Sequence, residues 1–248
     1  MTSVDHKVFQ YKDQAGEIIN LTPGKVVCVG RNYAEHAKEL GNIVPDTPLL
    51  FIKPATAVVD LEPGFKMPVT LSGIGTACHF ETEISVLIGH RLISSQRGGG
   101  QHSTAAIENA IAGYGLALDL TFRELQNQLK AKGHPWEIAK GFDGACPMGR
   151  FYTGEVKPDD LGLQCTINGE VRQYGFSGEM MLGIVDLIKL ITQHFTLEPG
   201  DVVLSGTPAG VGPLVQGDSF QLNLLARDKG SQQGVVSALV KYNSRVVN

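Results

Sequence analysis

Gln164-Cys165-Thr166-Ile167-Asn168-Gly169-Glu170-Val171-Arg172-Gln173 is the stretch that decides the fold class. Asn168-Gly169 is a strong two-residue hairpin signal, because the tight turn needs positive φ at both central positions and Asn and Gly accept it. The runs on either side, Gln164–Ile167 and Glu170–Gln173, therefore read as paired antiparallel strands. Short apolar or alternating runs continue in both directions. Downstream lie Val202–Ser205, Phe220–Leu225 and Val235–Tyr242. Upstream lie Lys25–Val29, Leu49–Lys53, Thr56–Asp60 and Glu81–Ile88.

Helical spacing is rarer. Ile184, Leu187, Ile188 and Ile191 fall at i, i+3, i+4 and i+7, one apolar helix face. That helix should stop before the turn Glu198-Pro199-Gly200-Asp201. Phe122–Lys132, ended by Gly133 and Pro135, and the short Tyr33–Leu40, ended by Gly41, are two more. Strands do not alternate regularly with helices, so the class is α+β and β-rich rather than a series of βαβ units. No internal repeat or long linker is present; a single domain over 1–248, with a short N-terminal segment at 1–24, is expected. Arg97-Gly98-Gly99-Gly100-Gln101 reads as a surface loop.

The chain has 248 residues, 42% hydrophobic and 19% charged, with a formal net charge of -4. That composition belongs to a folded water-soluble protein. It has no basic excess to neutralise a phosphate backbone, which argues against nucleic acid as a partner. The first 14 residues carry Asp5, His6, Lys7, Lys12 and Asp13 and lack the apolar core of a signal peptide. The apolar stretch 183–195 is broken by Asp186, Lys189 and His194, so no membrane partner is expected. Cys28, Cys78, Cys146 and Cys165 are scattered without a Cys-x-x-Cys pair, which fits neither zinc nor a disulfide framework. A cytoplasmic setting is the expectation.

Glu81-Thr82-Glu83 precedes the apolar run 84–88. Residues two apart on a strand share a face, so two carboxylates would lie side by side. They repel unless a cation lies between them, and a hard divalent ion with oxygen ligands would resolve this. A solvated strand face is the other reading. Asp119 ends the apolar run 111–118, where it needs a partner or caps the helix that follows. Arg123 and Gln126 share a helix face at i, i+3; Arg123 would fork onto a carboxylate or pair with a neighbour such as Glu124. His36 and Glu39, also i, i+3, form either a base with its orienting carboxylate or part of a solvated face. The run Gly206-Thr207-Pro208-Ala209-Gly210-Val211-Gly212-Pro213 lacks the Gly-Lys-Ser/Thr of a phosphate loop and reads as a tight turn or a ligand-facing loop.

In order along the chain these features resemble the fumarylacetoacetate hydrolase family, in its short single-domain branch. The resemblance is carried by Val27-Cys28-Val29-Gly30-Arg31-Asn32-Tyr33-Ala34 with His36 and Glu39, and by Pro48-Leu49-Leu50-Phe51-Ile52-Lys53-Pro54. It continues through His79-Phe80-Glu81-Thr82-Glu83, Gly113–Thr121, Arg123, Gln126, Lys132–Trp136, Ala139–Asp143, Pro199-Gly200-Asp201 and Ser205–Pro213. It implies a mixed β-sandwich roll with a few short helices, usually dimeric. It implies a Mg2+ or Mn2+ site at Glu81, Glu83 and Asp119, and a water-activating His36–Glu39 pair on a lid that orders over substrate. Lys140 would assist at the developing oxyanion. Arg31, Arg123, Gln126 and Thr207 would bind a small 2-oxo acid. The activity implied first is hydrolysis of a carbon–carbon bond in acylpyruvates or fumarylpyruvate through a pyruvate enolate. Oxaloacetate decarboxylation or tautomerisation, or 2-oxo acid isomerisation, is the alternative. The run Phe176-Ser177-Gly178-Glu179 departs from the family pattern, which points to substrate choice as the property it alters.

Overall fold

A computed structural model describes residues 9–39, 48–66, 77–227 and 236–247; within it the side chains at 36–38 and 236 lie outside the described residues. A seven-stranded mixed sheet forms the centre. Its spatial order is Leu49–Lys53, Val26–Gly30, Val202–Leu204, Thr82–Ile88, Ile111–Leu118, Cys146–Met148 and Val58–Asp60. The Val26–Gly30 strand runs parallel to Val202–Leu204, and Val58–Asp60 runs parallel to Cys146–Met148; the other pairs are antiparallel. A second sheet of five strands contains the expected hairpin. Leu161–Ile167 pairs with Glu170–Phe176 on one side and Ser219–Arg227 on the other, followed by Val236–Val247. At the turn Asn168 has φ 52 and Gly169 has φ 87, the positive-φ pair the sequence demanded.

The central sheet is buried on both faces, which is why its strands read as apolar runs rather than clean alternations. Ile84, Val86, Ile88, Leu116 and Leu118 point into the core shared with Leu163, Phe220, Leu222 and Tyr242 of the second sheet. Leu87, Ala117, Cys28, Val202 and Leu204 point the other way, into a smaller cluster with Tyr11 and Phe151. Sheet packs on sheet, as the β-rich reading expected.

Element ends shift by one to five residues: the last strand runs on to Val247, and the hairpin strands extend to Leu161 and Phe176. The strand expected from Thr56 begins at Val58, because a 3-10 turn at Ala55–Ala57 follows Pro54. The helices are Ala34–Glu39, Arg123–Ala131 and Ile184–His194 where three were expected. Two more were not anticipated: Thr104–Ala110, whose N-terminus is capped by Ser103, and the single turn Glu137–Lys140. Ile184, Leu187, Ile188 and Ile191 are all buried, as their spacing predicts. All four cysteines are buried and free.

Candidate active site

The acidic site follows from strand register. Thr82 lies opposite Leu118 and Glu83 opposite Ala117 in an antiparallel pair. Continued by one step, the register sets Glu81 beside Asp119, and the Asp119 N–H donates to the Glu81 carbonyl at 2.8 Å. Glu81, Glu83 and Asp119 therefore share the face that carries Leu87 and Ala117, and the small Ala117 side chain leaves room for them. All three are buried, and an oxygen from each lies within 4.8 Å of the other two. Asp119 is not a helix cap: the helix that follows is capped at Phe122, without a side-chain bond.

Three cations meet these carboxylates. Lys140, on the Glu137–Lys140 turn, donates to Asp119 Oδ2 at 2.6 Å and Glu81 Oε2 at 3.1 Å. Burial pulls the Lys140 pKa down, but Asp119 and Glu81 outweigh it and hold it above the ordinary lysine value. The Arg123 guanidinium pairs with Glu81 through Nη2 and with Gln126 Oε1 through Nη1 at 2.9 Å. The Glu124 pairing open to Arg123 from sequence is not the one formed. Lys53, fully buried, gives hydrogen bonds to the carbonyls of Leu120, Lys140 and Ala145. Those three use the ammonium's three protons, so its approach to Asp119 Oδ1 at 2.7 Å is a charge contact, and Oδ1 accepts no hydrogen bond.

Glu83 shows what the set lacks. Burial, then Asp119, then Glu81 push its pKa well above the usual carboxylate range, against the pull of Lys140 and the Gly206 N–H. Three crowded, buried, all-oxygen ligands, with Glu83 held against its charge, fit a hard divalent cation, which would offset that repulsion.

The cleft around the triad is lined by Arg31, Phe51, Arg123, Gln126, Lys130, Trp136, Lys140 and Thr207 among others. The expected binding residues Arg31, Arg123, Gln126 and Thr207 thus converge with Lys140 and the acidic triad. The Thr207 hydroxyl donates to the Thr82 carbonyl at 2.8 Å and accepts from Gln173 Nε2 at 2.7 Å. Its proton is therefore committed. Glu39 is not among the lining residues; its carboxylate accepts the Gly210 N–H at 3.1 and 3.2 Å. The His36 side chain, its expected partner, lies outside the described residues.

Three supporting residues carried no role in the sequence reading. Gln173, buried, accepts the Thr82 N–H at 3.0 Å and donates to Thr207 Oγ1 and the Pro208 carbonyl. It ties the acidic strand to the glycine-rich loop. Asn32 bonds to Ser205 and Leu182 and seats that loop from the other side. Gly206, at φ 94, passes so close that an added Cβ would fall 2.8 Å from Asn32 Cβ, and its N–H reaches Glu83 Oε2 at 2.6 Å. Lys53 is the third; a charge closing the apolar run 49–52 is the same signal that marked Asp119. The stretch Phe176–Glu179, expected to bear on substrate choice, does not line the cleft. Ser177 Oγ lies 2.6 Å from the Pro158 carbonyl and 2.9 Å from that of Leu161, and Glu179 accepts the Phe176 N–H, so the stretch forms a local turn.

Fold and site together define a strand-rich enzyme scaffold whose cleft holds a buried three-carboxylate set able to bind a metal ion. The family model for the fumarylacetoacetate hydrolase C-terminal region matches residues 25–241, and the chain belongs to that family. It is 44% identical over 218 residues to an oxaloacetate tautomerase of Escherichia coli, covering 86% of this chain and 94% of that one. It is 35% identical over 218 residues to a mitochondrial oxaloacetate decarboxylase of Dictyostelium discoideum, covering 87% and 95%. Among solved structures, a fumarylpyruvate hydrolase from Pseudomonas aeruginosa in complex with Mn2+ and pyruvate superposes with a TM-score of 0.79 at 28% identity, covering 96% and 95%.

Proposed function

We propose that this protein is a divalent-metal-dependent enzyme that interconverts the keto and enol forms of oxaloacetate. The reading that sequence placed first, hydrolysis of acylpyruvates or fumarylpyruvate, yields to its alternative on the names of similar proteins, and the charge of the cleft separates dicarboxylates from simple acylpyruvates. Three carboxylates are offset by Lys53, Lys140 and Arg123, so a bound divalent ion leaves two positive charges in excess, before Arg31 and Lys130 are counted. With those two counted the excess is larger still, so a 2-oxo dicarboxylate offsets more of it than a simple acylpyruvate, which has one carboxylate. The tautomerase and decarboxylase names of similar proteins support the same substrate.

A Mg2+ or Mn2+ ion held by Glu81, Glu83 and Asp119 would supply Lewis-acid polarisation of the 2-oxo group. Tautomerisation moves one proton between the C2 oxygen and C3. Lys140 places a buried ammonium beside the ligand carboxylates, where negative charge on the C2 oxygen develops. Arg123 keeps Nε buried without an acceptor and, with Gln126, binds the C1 carboxylate. Arg31, at φ 64, lines the same cleft and adds a second guanidinium for the substrate. Phe51 and Trp136 line the same cleft as apolar walls. His36 and Glu39 are the proposed proton-transfer pair.

Fumarylpyruvate hydrolysis is the second reading, favoured by the Mn2+- and pyruvate-bound structural relative and by the fact that fumarylpyruvate also carries a distal carboxylate. Purified protein with Mg2+ would be assayed for loss of enol oxaloacetate, for pyruvate release from oxaloacetate, and for cleavage of fumarylpyruvate and an acylpyruvate. Metal-dependent enol loss faster than pyruvate release is expected. Cleavage of fumarylpyruvate without acceleration of the oxaloacetate enol would overturn the proposal in favour of hydrolysis.

A further inference from the structure

Arg123, Gln126 and Lys130 fall at i, i+3 and i+7 on the Arg123–Ala131 helix, so they lie along one helix face, and all three line the cleft. Arg123 meets the acidic triad through Glu81. Lys130 starts about 10 Å further along the helix axis, at a rise of ~1.5 Å per residue. Its backbone is therefore set apart from Arg123 along the cleft, while its ammonium stays within electrostatic reach of Arg123, Arg31, Lys140 and Glu81.

Its surroundings there are unusual for a lysine. The ammonium stacks over the Trp136 ring, 4.8 Å from the centroid, and pairs with no carboxylate among the described residues. The charges that face it are Arg123, Arg31 and Lys140; the one opposing group is Glu81, already paired with Arg123 and Lys140. A half-buried cation set among like charges is unfavourable by itself and is relieved by an anion that enters the cleft.

We infer that Lys130, backed by the Trp136 ring, is the subsite for the distal carboxylate of a 2-oxo dicarboxylic acid and sets the preference for dianionic over monoanionic ligands. The inference rests on the proposed reading that a 2-oxo acid head group binds at the triad. Burial and the neighbouring guanidinium and ammonium groups bring the Lys130 pKa down to about 8, so the group is still mainly charged at neutral pH.

The test uses two inert ligands with the same chelating head group. Malate is lactate with a distal carboxylate in place of a hydrogen. Calorimetric titration of the Mg2+-loaded protein at pH 7 with both malate enantiomers and with lactate gives the preference directly. Lys130→Met should lower malate affinity roughly 10- to 100-fold, the range for a charge-assisted hydrogen bond, and leave lactate affinity within about twofold. Lys130→Arg should keep a preference for malate. Mg2+ affinity, unchanged in both variants, reports an intact site, and Lys130→Gln stands in if Lys130→Met does not fold. Equal binding of malate and lactate by the wild type, or a preference that survives Lys130→Met, would overturn the inference. Oxaloacetate turnover measured in parallel separates the two levels. A Lys130-dependent preference without turnover removes the proposed activity and leaves the subsite; turnover with a Lys130-independent preference does the reverse.

Discussion

At Glu83 burial and two neighbouring carboxylates all act against the charge. Glu83→Gln keeps an oxygen for the Gly206 N–H and removes the charge. The variant should lose most of its Mg2+ affinity, while the metal-free protein keeps or gains stability. Thermal melts with and without Mg2+ would check both halves: in the wild type, metal at ~100 times its Kd adds about 2.7 kcal/mol, and in the variant that increment should vanish. A metal-induced shift equal to the wild type's would remove Glu83 from the ligand set. Lys130 gives a pH prediction at the same scale. Its folded pKa, about 8, lies below the ordinary lysine value of ~10.4, so between those values the unfolded chain binds more protons than the folded one. The contribution of Lys130 to stability therefore rises with pH across that window. Denaturation of wild type and Lys130→Met at pH 7 and pH 10 should show the difference moving in favour of the wild type at the higher pH. Arg123, Arg31, Lys140 and Glu81 face the ammonium, and their presence in both proteins cancels in the comparison.

The acidic strand and the loop 205–213 act as one unit, joined directly through the Gly206 N–H and the Thr207 hydroxyl and bridged by Gln173. Its amide accepts from the Thr82 backbone and donates to the Pro208 carbonyl and Thr207 hydroxyl, from a strand in the other sheet. Gln173→Leu keeps comparable bulk and leaves the Thr82 N–H and Pro208 carbonyl buried without these partners. Each such group costs about 1–3 kcal/mol, so a loss of roughly 2–5 kcal/mol in a urea titration is expected. Mg2+ affinity should change far less, since no ligand is touched; a loss confined to Mg2+ affinity with unchanged stability would contradict this account. The loop itself leaves little latitude. Gly210 has φ 101, and a Cβ there would lie 1.8 Å from the Arg172 carbonyl, so the N–H that Glu39 accepts is offered by the one residue type the position tolerates.

At the scale of the molecule, what sequence made legible was what depends on near neighbours. The Asn168-Gly169 turn, the 184–191 helix face and the Glu81/Glu83 pair are set by spacings of one to seven residues. Asp119 was legible as a charge closing an apolar run, but not as a metal-site residue by spacing alone, since its partner is fixed by sheet register. Gln173 and Lys53 were not, because they bond to residues 34 to 92 positions away, and no local period carries such information. The helix at Thr104–Ala110 escaped for a different reason: it is short, largely exposed and has only Ile107 and Ala110 buried.

Lys53 and Lys140 both touch Asp119, yet their positions assign them different tasks. Lys140 lines the cleft, whereas Lys53 lies behind the acidic site, fully buried, and does not line it. Its ammonium gathers the carbonyls of Leu120, Lys140 and Ala145, which lie past the end of one strand, at the end of a helical turn and before the start of another strand. It thus ties the edge strand Leu49–Lys53 to three segments that shape the site. Lys53→Met would bury a methyl group against three carbonyls and leave the Asp119 charge with less compensation. Breaking a buried pair from one side costs about 3–5 kcal/mol, and that loss should appear in urea denaturation of the metal-free protein. Mg2+ supplies Asp119 with a new countercharge, so saturating metal should narrow the gap between Lys53→Met and wild type. Lys140→Met should behave in the opposite sense: its oxaloacetate turnover at saturating Mg2+ should fall by more than that of Lys53→Met, because the group removed faces the substrate. If Lys53→Met lost turnover as completely as Lys140→Met while keeping wild-type stability, Lys53 would belong to the chemistry of the cleft rather than to its support.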